Sequence, residues 1–206
     1  MTTDSIGTLE KLDEQGRKIV FTHARTSNSF ADTPVSDEEL REIWELTRWT
    51  PTMANTQPAR VLFVRTPEGK ERLLPHIAEG NYAKTKAAPA TAIIAVDKNW
   101  HELIPTVFPH NAGMKDNFDG EHAEELRLQL GSYSAALQTG AFILATRAVG
   151  LAAGPIKGYD AAGIDQEFFP DGAWATQLVI NIGHPGQNPW FDRLPRVPED
   201  IALAWA

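Results

Sequence analysis

Apolar positions along this chain follow two periods, and the switches between them mark its elements. Leu40, Ile43, Trp44 and Thr47 recur at the i, i+3, i+4, i+7 spacing of a core-facing helix. Ser36-Asp37-Glu38-Glu39 precedes them as a capping box, with Ser36 at the N-cap and Glu39 reaching back from N3. That helix must stop before Pro51, because a residue preceding proline is pushed out of the α region. Residues 59–65, Ala-Arg-Val-Leu-Phe-Val-Arg, read as a strand, and residues 90–96 as a second one apolar enough for burial on both faces. A further strand is expected over 174–183, which is rich in β-branched and aliphatic side chains. Helices are expected over about 8–23, from the Thr66-Pro67 start to about His76, and from the Asp160 cap to Phe168.

The longest helical pattern covers 121–150 and is crowded with Gly131, Ser132, Ser134, Ala135, Ala136, Gly140, Ala141 and Ala145. Small side chains let backbones approach closely, which places this helix at the centre of the protein or against a second subunit. Gly150 is its natural C-cap. Residues 25–34 are turn-rich, residues 80–86 open a short segment ahead of Pro89, and 151–155 lead into Ile156-Lys157-Gly158-Tyr159. Residues 97–120 show no period and contain Pro105, Pro109 and Gly113, as a lid or specificity segment would. The tail over 184–206 carries Pro185, Pro189, Pro195 and Pro198, so it is expected to run extended over the rest of the molecule. No repeat or linker divides the chain, which reads as a single α+β domain over 1–206.

With 206 residues the chain can bury about 70% of its unfolded surface and needs no disulfide or metal to hold it. It has no cysteine, which excludes disulfides, thiolate metal sites, iron–sulfur clusters and cysteine nucleophiles. A net charge of -8 disfavours a polyanionic partner, and the six tryptophans and nine phenylalanines are not interleaved with Lys and Arg. Nucleic-acid binding is therefore not expected. Residues 1–18 hold Asp4, Glu10, Asp13 and Glu14 without an apolar stretch, so no signal peptide is expected. No apolar run approaches membrane-spanning length. These features fit a cytoplasmic protein.

The familiar catalytic motifs are missing. The six histidines show neither H-x₃-H nor H-E-x-x-H spacing, so no metal site is expected. There is no G-x-S-x-G elbow, no phosphate-binding G-x-x-x-x-G-K-[ST], and no G-x-G-x-x-G after a strand. An organic cofactor is then the economical source of reactivity. Pro51-Thr52-Met53-Ala54-Asn55-Thr56-Gln57-Pro58 suits one. Two prolines stiffen it, and its hydroxyls and carboxamides donate and accept without charge, as a flat heteroaromatic ring with polar edges requires.

Read together, five segments resemble the FMN-dependent nitroreductase family, most closely its branch reducing malonic semialdehyde to 3-hydroxypropionate. The resemblance covers about residues 21–197. Ala24-Arg25-Thr26-Ser27-Asn28-Ser29-Phe30 is similar to the family segment that grips the flavin phosphate and ribityl chain, with Arg25, Thr26 and Phe30 matching and Ala24 and Asn28 standing where basic residues are usual. Residues 51–58 match P-[ST]-x-x-N-x-Q-P, which implies that Pro51, Thr52, Met53, Asn55 and Gln57 contact a flavin in the partner subunit. Asn81 and Lys84 resemble a pair in which the lysine approaches the N1–C2=O edge of the flavin; Lys86 is a competing register. Pro155, Ile156, Lys157 and Gly158 resemble a loop offering backbone N–H groups to flavin N5 and O4, and Arg193-Leu194-Pro195 a C-terminal motif whose arginine reaches the phosphate, Arg196 being a further candidate. The resemblance implies a three-layer α-β-α fold with a mixed or antiparallel sheet, an intertwined homodimer, FMN as cofactor and NADH or NADPH as electron donor. It implies no catalytic side chain, because flavin N5 carries the hydride. Nitroaromatic or quinone reduction is the alternative activity. A non-catalytic flavin carrier, and a flavin-free protein that dimerises through residues 121–149, are the readings from other classes.

Overall fold

The computed structural model describes residues 10–206. One four-stranded antiparallel sheet organises it, formed by β1 (Ala59–Val64), β2 (Ala90–Asp97), β3 (Ala152–Ile156) and β4 (Trp174–Gly183) in the order β1-β2-β4-β3. Ala59 pairs with Val96, Ala90 with Ile182 and Ala152 with Gly183. Between β2 and β4 the register slips at Ile94/Ala95, which leaves Gln177 as an extra residue in β4.

Alternation along the central strands feeds two cores. Ala90, Ala92 and Ile94 of β2, with Ile180 and Ile182 of β4, meet Leu40, Ile43, Phe142 and Ala145 on one face. Ile93, Ala95 and Val179 meet Leu73, Ile77, Ile164 and Phe169 on the other. The result is the expected α-β-α sandwich.

The helices are α1 (Glu14–Arg17), α2 (Asp37–Thr47), α3 (Pro67–Leu73), α4 (Glu79–Ala87), α5 (Ile104–Val107), α6 (Glu124–Ala148), α7 (Ala161–Phe168) and α8 (Glu199–Ala202). Ser36 and Glu39 form the capping box of α2, and Thr66 and Asp160 accept from the first turns of α3 and α7.

Several expectations need correction. The helix expected over 8–23 starts at Glu14, capped by Asp13, and continues as a π-helical turn over Lys18–Thr22; its expected first residues, Thr8 and Leu9, lie outside the described residues. Residues 152–156 are a strand despite Gly154 and Pro155, because β3 is an edge strand. Trp44 is only half-buried, lining a groove of about 460 Å³ beside β1. Residues 97–120 are not irregular: short helical turns fold around buried Trp100, Ile104 and Phe118. The tail is extended except for α8.

Candidate functional site

Three segments converge at the β3 edge of the sheet. The Ser27 N–H donates to the Ala153 carbonyl at 3.0 Å, laying the 25–30 turn along β3. A Cβ on Gly154 would stand 2.7 Å from the Ser27 carbonyl oxygen, so this approach needs glycine. The tail then crosses the turn. Asn28 N–H donates to the Pro189 carbonyl at 2.9 Å, Arg25 Nη1 to the Phe191 carbonyl at 2.6 Å, and Arg193 Nη2 to the Thr22 carbonyl at 2.7 Å. Between turn and tail lies a cavity of about 180 Å³ lined by Arg25, Thr26, Asn28, Arg193 and Arg196, with Asp192 its sole acidic lining residue. Among the described residues none of the three arginines pairs with a carboxylate. Three guanidinium groups in one small cavity are a site for a compact dianion.

Helix α4 reaches the same turn through one side chain. Lys84 Nζ stands 3.5 Å from Asn28 Oδ1, whereas Lys86 is exposed, so Lys84 is the lysine turned toward the turn. Asn81 Nδ2 donates to the Gly158 carbonyl at 3.2 Å, and a Cβ on Gly158 would lie 2.6 Å from that nitrogen. Asn81 therefore holds the 155–158 loop through its backbone. The Lys157 side chain is engaged elsewhere: its Nζ donates to Tyr159 Oη at 2.9 Å and to the Gln177 carbonyl at 3.1 Å. Only the backbone of Pro155, Ile156, Lys157 and Gly158 is left to face a ligand.

The 51–58 loop lies elsewhere. It enters β1 at Ala59, whose N–H donates to Gln138 Oε1 at 3.0 Å. Met53 N–H reaches Ser134 Oγ at 3.4 Å, and Asn55 Nδ2 donates to the Val107 carbonyl at 2.8 Å. Ala54, Asn55 and Gln57 carry φ of 44°, 53° and 45°, a left-handed run that is costly for the alanine and the glutamine. Gln57 is held by Thr52 Oγ1, which accepts its N–H at 3.1 Å, and by bonds from its Nε2 to the Asn55 carbonyl and Oδ1. From Ala59 to Ile156 the sheet spans three strand spacings of about 4.8 Å and about four residues of about 3.3 Å, roughly 20 Å in all. Within one chain, Pro51, Thr52, Met53, Asn55 and Gln57 are not brought to Arg25, Thr26, Asn28, Asn81, Lys84 and Arg193.

The profile of the Nitroreductase family matches residues 22–184. The chain belongs to that family. A provisionally named NADH dehydrogenase/NAD(P)H nitroreductase of Streptomyces coelicolor is 55% identical over 97% of this chain and 98% of its own length. One of the same provisional name from Streptomyces griseus is 46% identical over 93% and 96%. Among solved structures, a provisionally named nitroreductase of Exiguobacterium sibiricum, in complex with FMN, superposes with a TM-score of 0.82 at 19% identity, over 97% of this chain and 100% of that one. That last likeness establishes the nitroreductase fold.

Sequence reading missed part of this candidate site. The carbonyls of Thr22, Pro189 and Phe191 that seat the arginines and Asn28 are backbone atoms carrying no residue signature. It also missed a cluster in the 97–120 segment. His101 Nε2 lies 3.4 Å from Asp119 and 3.6 Å from Glu102, while Lys115 donates to Asp119 at 2.8 Å and pairs with Glu102 at 3.4 Å. Burial, then Arg127, lowers the His101 pKa, against the pull of Glu102 and Asp119. The Lys115 ammonium already supplies the cation those carboxylates require.

Proposed function

We propose that this nitroreductase-family chain is an FMN-dependent NAD(P)H oxidoreductase working by ping-pong hydride transfer. The carrying observation is the cavity where Arg25, Arg193 and Arg196 meet without a carboxylate partner, continued through Asn28 to Lys84, Asn81 and the 155–158 loop. A phosphate of about -1.5 to -2 charge fits three guanidinium groups. Bound there, FMN would supply a carrier that takes a hydride at N5 and yields it to an acceptor.

The chain's own residues bind and polarise. Arg25, Thr26 and Arg193 hold the phosphate, and Asn28 spans to the next contact. Lys84 places a positive charge beside the ring edge, where negative charge develops on reduction. The backbone N–H groups of residues 156–158 are the donors this loop can offer. Because the 51–58 loop stands about 20 Å from that cluster in its own chain, it serves the site of a second copy, so the working unit is a homodimer. The printed names of the Streptomyces relatives support NAD(P)H as donor, and the Exiguobacterium complex supports FMN.

The narrower proposal is reduction of a small semialdehyde such as malonic semialdehyde to 3-hydroxypropionate, supported by Phe21-Thr22-His23-Ala24-Arg25-Thr26, Glu79-Gly80-Asn81 and Phe108-Pro109-His110. The relatives' names favour nitroaromatics as a second reading. Anaerobic mixing of the FMN-loaded protein with NADH or NADPH should bleach the flavin; no bleaching with either leaves a flavin carrier. Re-oxidation by the semialdehyde but not by a nitroaromatic supports the narrower proposal, and the converse replaces it with the second.

A further inference from the structure

Lys70 sits on α3 with its ammonium turned inward, and its partners are neutral. Its Nζ donates to the Thr85 carbonyl at 2.8 Å and to Thr91 Oγ1 at 2.5 Å. Thr91 Oγ1 donates in turn to Asn181 Oδ1, and Asn181 Nδ2 to Thr85 Oγ1, both at 3.0 Å. Thr85, Thr91 and Asn181 are completely buried. The Thr85 carbonyl belongs to the last turn of α4, and its regular helical donor would be the N–H of residue 89. That residue is Pro89, which has none. Lys70 replaces the missing donor and ties α3, α4, β2 and β4 together behind Lys84 and Asn81.

A donor alone does not require a charge. Holding an ammonium out of water without a counter-ion is costly, and a neutral donor would avoid that cost. The chain carries 27 acidic residues, yet among the described residues none pairs with Lys70. The groups facing it from α4, β2 and β4 are the Thr85 carbonyl, Thr91 and Asn181; the charged residues flanking Thr85 on α4, Lys84 and Lys86, are cations.

Resting on the flavin reading above, we propose that Lys70 is a positioning residue whose charged donor to the Thr85 carbonyl fixes the last turn of α4 and so holds Lys84 and Asn81 against the flavin. Burial lowers the Lys70 pKa to about 8. Below that pH an ammonium makes charge-assisted bonds to the Thr85 carbonyl and Thr91 Oγ1; above it a neutral amine holds that turn of α4 more weakly. FMN affinity should therefore fall as pH rises through about 8.

The test titrates FMN onto the apo-protein, by flavin fluorescence, between about pH 6.5 and about 9.5. The wild type should lose about tenfold in affinity across that step. Lys70→Gln, which keeps a donor and removes the charge, should bind more weakly at neutral pH and show no step. A wild-type profile flat through pH 8, or a step that survives in Lys70→Gln, overturns the proposal. Because the wild type alone must show the step, a poorly folded variant does not shelter it. Absence of FMN binding at every pH would instead remove the flavin reading beneath it.

Discussion

A methyl group at position 154 would stand 2.7 Å from a backbone oxygen of the Ser27 turn. Neither strand nor turn can yield without moving Arg25, so Gly154→Ala should cost about 1–3 kcal/mol and reduce flavin occupancy, read by thermal melting and absorbance. Arg193→Met removes charge-assisted bonds worth about 1.5–3 kcal/mol, so FMN affinity should fall at least about tenfold in a fluorescence titration, with the fold intact by circular dichroism. Arg25, Arg193 and Arg196 were singled out in the sequence through the family resemblance, and the fold brings them to one cavity. Their seats were not legible, since the Thr22 and Phe191 carbonyls become partners only once the tail has crossed the turn. The three positive φ values in the 51–58 loop were equally hidden. Pro51 and Pro58 advertised stiffness, but not that Ala54 and Gln57 are forced left-handed.

Among the elements, α2 was read most closely, because its cap and stripe are local. Ser36 lowers the Glu39 pKa, chiefly through the bond from its backbone N–H and then through its hydroxyl. A depressed carboxylate stabilises above its unfolded pKa and loses that contribution as pH falls through its folded value. Ser36→Ala, which keeps the backbone bond and removes the hydroxyl, should therefore cost about 1 kcal/mol at neutral pH and make the acid limb of the stability curve shallower, measured by urea unfolding. By contrast, β3 was missed because Gly154 and Pro155 mask an edge strand whose register comes from β4. The 97–120 segment was missed because its order is tertiary: Trp100 Nε1 donates to the Arg127 carbonyl at 2.9 Å. The seat for that indole is Gly131 of α6, whose absent Cβ would lie 2.7 Å from the same nitrogen. Gly131→Ala should displace Trp100 and loosen the segment, raising the KM for the acceptor more than that for the nicotinamide donor in steady-state assays.

At the scale of the whole molecule, the α+β class was legible because three strands and the stripe of α2 are local signals, whereas the three-layer arrangement was expected only from the family resemblance. A homodimer is expected from the family resemblance, and the small residues of α6 allow one. The surface is consistent with it. Leu126, Tyr133 and Leu137 form one exposed stripe along α6, with Leu46 and Trp49 at the end of α2. A stable interface needs about 800 Å² per partner, and a 25-residue helix with such a stripe offers the beginning of one. On this account the stripe, the strained 51–58 loop and the arginine cavity belong to one device, a flavin site that a single chain cannot complete. Size-exclusion chromatography with light scattering and flavin absorbance, recorded on one FMN-incubated sample, tests that directly. The account predicts that flavin colour co-elutes with a dimer carrying two FMN and is absent from any monomer. A colourless dimer, or a yellow monomer that NADH or NADPH bleaches, would contradict it.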